Sequence, residues 1–314
     1  MTNASLAEWS NLAVYASMMI LIGALVAFAI SFAAKGQRVL TPALVTVGGA
    51  APADTGAGSV DRSEVLSGRR AGNVAMSLTW LATGVLFVGL VLRGLWAGRV
   101  PWGNMYEFSL ASSVAILGVF LVVSTRRDVR WLGLPVVVIT LLSLGLAVTV
   151  LYTEAAQLVP ALKSYWLVIH VAAAVVCGGA FAVAASISGL YLWRERAEEK
   201  GRVTGLVSSL PTASRLDTLA YRILAFAFPL WTFAVISGAI WAEAAWGRYW
   251  GWDPKETWAF ITWVIYAGYL HARATAGWRG RRAAYISLLG FASFLINYFG
   301  VNLFVNSLHS YAGM

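Results

Sequence analysis

The sequence predicts an all-α fold: a polytopic membrane bundle of about eight transmembrane helices, with both termini outside. Three observations predict it. Hydrophobic residues make up 59% of the 314, and charged residues only 12%. The mean hydropathy is +0.72, far above that of a soluble domain. Apolar stretches of about 20 residues, the length that crosses a bilayer, recur along the whole chain. The cations gather in alternate connecting segments, as the positive-inside rule predicts.

Residues 1–10 lack a basic stretch, so no cleavable signal is expected there. The first span is expected at 11–34, and Lys35 and Arg38 close it. Residues 41–67 are rich in Gly, Ala and Pro and read as a flexible loop, ended by Arg69 and Arg70. Residues 1–72 thus form a first helix with its loop, and 73–314 a separate helical core. Further spans follow at 73–92, 108–125, 131–152 and 164–193. A short surface helix within 203–221 leads into a sixth span at 222–242. The last two spans fall at 255–274 and 283–305.

This order leaves five of the 23 lysines and arginines on the outer side: Arg93, Arg99, Lys163, Arg248 and Lys255. The net charge of +9 therefore serves topology, and a nucleic-acid partner is not expected. The single cysteine, Cys177, lies inside an apolar span, so no disulfide within the chain and no Cys-x-x-Cys motif is possible.

One outward loop, 243–258, stands apart. It contains Trp246, Arg248, Trp250, Trp252, Asp253, Lys255 and Trp258. Asp253, Pro254 and Glu256 spell a helix start: a cap, a proline at the first helical position, and a glutamate three residues after the cap. The positive end of that helix, with Lys255 and Arg248, faces an aromatic floor. A large planar anion suits such a floor, and haem is one. A Trp-rich edge also occurs as a plain interfacial belt.

His170, His271 and His309 are the only histidines. His170 lies about 9 Å from the outer end of the fifth span, and His309 follows the last span on the same side. Both could approach one iron. His271 lies about 22 Å down the seventh helix, in the inner leaflet, and cannot reach that iron. It offers half of a second site. Ionisable groups within a membrane are costly and tend to be functional. Glu107, Glu154 or Glu243 could orient a histidine by accepting its second N–H.

The stretch Trp-Gly-Arg-Tyr-Trp-Gly-Trp-Asp-Pro-Lys-Glu-Thr-Trp resembles the "WWD" signature of haem-handling membrane proteins. With Trp-Leu-Val-Ile-His-Val before it, and Tyr-Leu-His-Ala-Arg and Leu-His-Ser-Tyr after it, the chain from about residue 73 resembles the CcsA/ResC family of system II cytochrome c maturation (labelled CcsB in some genomes). The resemblance implies a plasma-membrane cytochrome c synthase subunit working with a ResB-like membrane protein. Non-covalent haem b would be held outside by His170 and His309. It would be held within the membrane by His271 and a ligand from the partner. Apocytochrome c would supply the two thiols of its Cys-x-x-Cys-His motif. Three other readings stay open: a haem-delivery protein of another maturation system, a transporter for a non-haem solute, and an electron-transfer cytochrome b.

Overall fold

The computed structural model describes residues 3–37, 62–155 and 163–309. Its α-helices are α1 (Asn3–Gln37), α2 (Arg62–Ala97), α3 (Met105–Arg126), α4 (Arg130–Thr149), α5 (Tyr165–Glu199), α6 (Ala213–Trp246), α7 (Pro254–Thr275), α8 (Arg281–Leu295) and the short α9 (Val301–Phe304). A 3₁₀ turn, Gly205–Ser209, precedes α6, and a π turn, Ile296–Gly300, joins α8 to α9. No strand occurs among the described residues. Side chains from every long helix meet in one core, whose centre is α5.

Seven of the described helices are long and apolar enough to cross a membrane. The seventh predicted span, now α7, is not among them. Its 22 residues would reach across, but Trp, Tyr, Thr, His271 and Arg273 dilute its apolar content. The helix is nevertheless pinned antiparallel to α6 at both ends. Arg248, just beyond α6, pairs with Glu256 at the start of α7 (3.2 Å). Arg273, near the end of α7, grips Asp217 near the start of α6 (2.7 and 2.9 Å). A helix held this way can carry polar residues because protein partners satisfy some of them.

Three boundaries move. Most of the loop expected at 41–67 lies outside the described residues, and α2 already begins at Arg62. The separate surface helix expected before the sixth span is absorbed into α6, which runs unbroken for 34 residues despite Pro229. The same helix continues through Trp246, so the Trp-rich loop shrinks to residues 247–253. Gly247 ends α6 in the left-handed conformation (φ 71°), and its N–H bonds the Glu243 carbonyl.

The starts of α1 and α3 and the ends of α2 and α4 meet at one face. Ser10 bonds the Gly89 carbonyl, and Asn11 bonds the Tyr152 hydroxyl. Glu107 is fully buried there, held by Arg93 (3.1 Å), Arg99 (2.7 Å) and the Gly103 N–H (2.8 Å). This cluster locks α2 to the loop before α3, and so positions one wall of the cavity described next.

Candidate functional site

A cavity opens at that face, between α3, α5, α6, α7 and the segment after α8. It has two adjoining lobes of about 750 and 630 Å³, open mouths included. His170, His309, Trp241, Lys255, Phe108 and Tyr298 line both. Tyr249, Trp250 and Asn297 line the first alone, and Trp102 and Asn302 the second.

His170 is fixed by α6. Its Nδ1 lies 2.7 Å from the Ala234 carbonyl. A carbonyl can only accept, so Nδ1 carries the proton and Nε2 is the atom with a lone pair. Gly238 makes the approach possible. A Cβ there would sit 2.7 Å from the imidazole, so any larger residue would push the ring away.

His309 is fixed by the start of α7. Its Nδ1 is 2.9 Å from Asp253 Oδ2, while Oδ1 accepts the Leu308 N–H at 2.9 Å. Burial opposes ionisation of Asp253, yet its bonds from His309 and Leu308 bring its pKa down to about 2. Burial also holds the His309 imidazole below its ordinary value, and the bond to Asp253 only partly offsets this. The pair is therefore a neutral imidazole donating from Nδ1 to a carboxylate, which makes Nε2 the candidate ligating atom.

Asp253 thus does two jobs. It caps α7 in a capping box with Glu256 and orients a histidine 56 residues away. Glu256 completes the box by accepting the N–H groups of Asp253 (3.0 Å) and Gly251 (2.8 Å). That network sets the shape of the loop.

The expected site residues separate into three groups. His170, His309, Trp250 and Lys255 line the cavity. Trp246 and Asp253 back it through His309, with Trp246 edge-on to the imidazole at 4.8 Å. Arg248, Trp252, Trp258 and His271 are not in its lining. Arg248 turns to Glu256 instead. Trp252 is the one described non-glycine residue with positive φ (58°), which throws its ring outward against Trp250 and Phe260. Trp258 lies a turn inside α7, off the cavity face. His271 is exposed on α7, about 22 Å from Glu256 along the helix axis. The carboxylates considered as histidine partners do otherwise. Glu107 serves two arginines, and Glu154 and Glu243 are exposed.

Trp241 was missed by sequence reasoning. It is 1% exposed, lies nearly parallel to His170 (centroids 6.3 Å apart, planes 11° apart) and meets His309 edge-on at 5.7 Å. A signal existed. Gly238, Trp241 and Ala242 share one face of the span expected at 222–242, and Ala245 extends that face once the helix continues through Trp246. The Asp253–His309 bond had no local signal.

The fold and site define a multi-pass helical membrane protein whose cavity presents two anchored imidazoles among aromatic walls. The Cytochrome C assembly protein family matches residues 102–309, and the chain belongs to that family. It is 36% identical to the cytochrome c biogenesis protein CcsA of Guillardia theta, over 74% of this chain and 83% of that protein. It is 37% identical to CcsA of Prochlorococcus marinus, over 72% and 80% respectively. Its role lies in cytochrome c maturation. Among solved structures, the cytochrome c haem lyase CcmF shares the fold, with a TM-score of 0.61 at 15% identity. The match covers 95% of this chain and 47% of CcmF, so the chain spans about half of that protein's length.

Proposed function

We propose that this protein is the haem-binding and haem-delivering subunit of a system II cytochrome c synthase. It would present non-covalent haem b at the outer face of the plasma membrane for attachment to apocytochrome c, beside a ResB-like partner. The observation that carries the reading is the pair of imidazoles. Both line one cavity, and both are anchored through Nδ1, which assigns Nε2 to the ligand.

The donor set fits haem. Two neutral imidazoles suit its iron. Trp241, Trp250, Phe108 and Tyr298 supply flat apolar contact. Lys255, the only cation among the described residues of the lining, suits a propionate. Among the described residues no group of three or more His, Cys, Asp or Glu could hold a metal ion by itself, which favours a ligand that brings its own equatorial donors.

Haem, when bound, supplies the vinyl groups to which cysteine thiols add. The chain's residues hold and orient. Asp253 and the Ala234 carbonyl keep the imidazoles in the correct tautomer. The aromatic walls exclude water, and the mouth admits the acceptor peptide. The buried Cys177 is far from suited to act as a nucleophile, so the sulfur comes from the substrate. Rate enhancement then derives from positioning two reactants. His271, exposed on α7, awaits a ligand from the partner.

The test is a reduced-minus-oxidised visible spectrum of the purified protein, with and without the ResB-like partner. A bis-histidine spectrum should vanish in the His170→Ala, His309→Ala double variant. Haem absent from every sample, or unchanged in the double variant, overturns the reading.

A further inference from the structure

The π turn Ile296–Gly300 carries an unusual side chain. Asn297 is only 6% exposed and lines the first lobe, whose lining also includes Phe294, Trp231 and Ala174. Its Oδ1 is fully buried with no hydrogen-bond partner. A buried polar group left unpaired costs about 1–3 kcal/mol, and native structures contain few of them. The backbone around it is also non-standard. Single π turns inside α-helices are rare and concentrate at functional sites. This one is held by the next residue, since the Tyr298 hydroxyl bonds Ser109 (2.6 Å) and the Met105 carbonyl (2.8 Å). An unpaired amide oxygen and a supported π turn in one segment point to a ligand group at this spot.

We propose that Asn297 binds one carboxyl group of the haem in its protonated, neutral form. The proposal rests on the haem-binding reading of the cavity. A primary amide and a carboxylic acid are complementary. The acid O–H donates to Oδ1, and the amide Nδ2–H donates to the acid carbonyl. Phe108, Ala174, Trp231, Val235 and Phe294 make much of the lobe's lining apolar, and desolvation there favours the neutral acid over the carboxylate. Lys255 enters the cavity from α7 and takes the other, ionised propionate. Both propionates leave the same edge of the porphyrin, so the amide and the ammonium distinguish one from the other. That asymmetry selects between the two orientations of the ring related by a flip of its faces, and so decides which vinyl group lies on which side.

The experiment titrates the full-length protein with mesohaem, which lacks vinyl groups and cannot be attached, and with its dimethyl ester. An ester cannot donate to Oδ1. Asn297→Leu should weaken mesohaem binding about tenfold, the scale of one net hydrogen bond to a buried partner. The same variant should weaken ester binding less than acid binding, because the ester carbonyl still accepts from Nδ2 but no O–H reaches Oδ1, and Asn297→Gln should recover part of the mesohaem affinity. Equal losses for acid and ester would assign Asn297 a packing role and overturn the proposal, as would unchanged binding of both. If wild-type protein binds neither compound, or binds both without His170 and His309, the haem reading fails and the proposal with it. If binding needs those histidines but Asn297→Leu leaves the acid–ester preference intact, only the Asn297 proposal fails.

Discussion

The hairpin of α6 and α7 has an aspartate at each end, and the two do opposite things. Asp217, near the start of α6, is gripped by both terminal nitrogens of Arg273 and accepts the Gly280 N–H. Its side chain is 13% exposed, and Arg273 stacks on Tyr221 and Tyr269. That end is closed: charge meets charge, and the result is a clamp. Asp253, at the other end, meets an imidazole instead. Neutral histidine cannot cancel the carboxylate, but the bond fixes the ring and its tautomer beside a cavity. A carboxylate facing a guanidinium builds structure, whereas one facing an imidazole builds a site. The cation side shows the same division. Arg248 is tied to Glu256, while Lys255, seven residues further along, faces the cavity.

The largest expected effect tests the closed end. Asp217→Ala leaves Arg273 nearly buried without its partner and should cost about 3–5 kcal/mol of stability. Thermal unfolding in detergent measures it, and haem retained per folded molecule should stay unchanged. Loss of haem with unchanged melting would reverse the roles assigned to the two ends.

The open end should respond in the other currency. Asp253→Ala removes the orienting acceptor of His309, and a lost histidine partner typically costs about 10–100-fold in ligand affinity. It also costs about 1 kcal/mol for the lost helix cap. Asp253→Asn keeps an acceptor oxygen and the cap, so its spectrum should lie between wild type and the alanine variant. Equal haem content in all three would remove Asp253 from the site.

A third change sharpens the comparison from the His170 side. Gly238→Ala places a methyl 2.7 Å from the imidazole and must displace it. The haem bands should shift or weaken by about tenfold in affinity, the lower end of the range for a disturbed ligand shell. Ala244→Gly, exposed on the same helix and outside the cavity lining, serves as a control for helix propensity alone.

The smallest effect concerns the strained outward tryptophan. Trp252→Gly relieves a positive φ in a bulky residue, a strain on the order of 1 kcal/mol. Stability should change little, because the lost ring contacts with Trp250 and Phe260 offset the relief. Haem retention should hold near the wild-type level, since Trp252 lies off the cavity lining. A large loss of retention in this variant would show that the ring reaches the ligand from the mouth.

The framework is legible in the sequence because its causes are local. Membrane crossing depends on the sum of apolar side chains in a window, so most spans could be counted from the chain alone. The helix start at Asp253–Glu256 was likewise legible, because a capping box is written within four residues. Even α7, whose apolar content falls short of a span, had a readable beginning. What failed to show was anything that depends on where a ring points. The spacing of the tryptophans suggested a common floor, yet the extension of α6 through Trp246 and the positive φ of Trp252 send the rings different ways.

By itself, then, the sequence determined an all-helical membrane protein and the capped helix start at Asp253, because hydropathy and capping act over short stretches. Only the tertiary structure decided that Asp253 holds His309 across 56 residues, that Gly238 admits His170 to the Ala234 carbonyl, that Trp241 touches both imidazoles, and that Asn297 lines the cavity with its Oδ1 unpaired. These are meetings between elements distant in the chain. Their energies depend on ångström-scale distances that packing sets and no local pattern encodes.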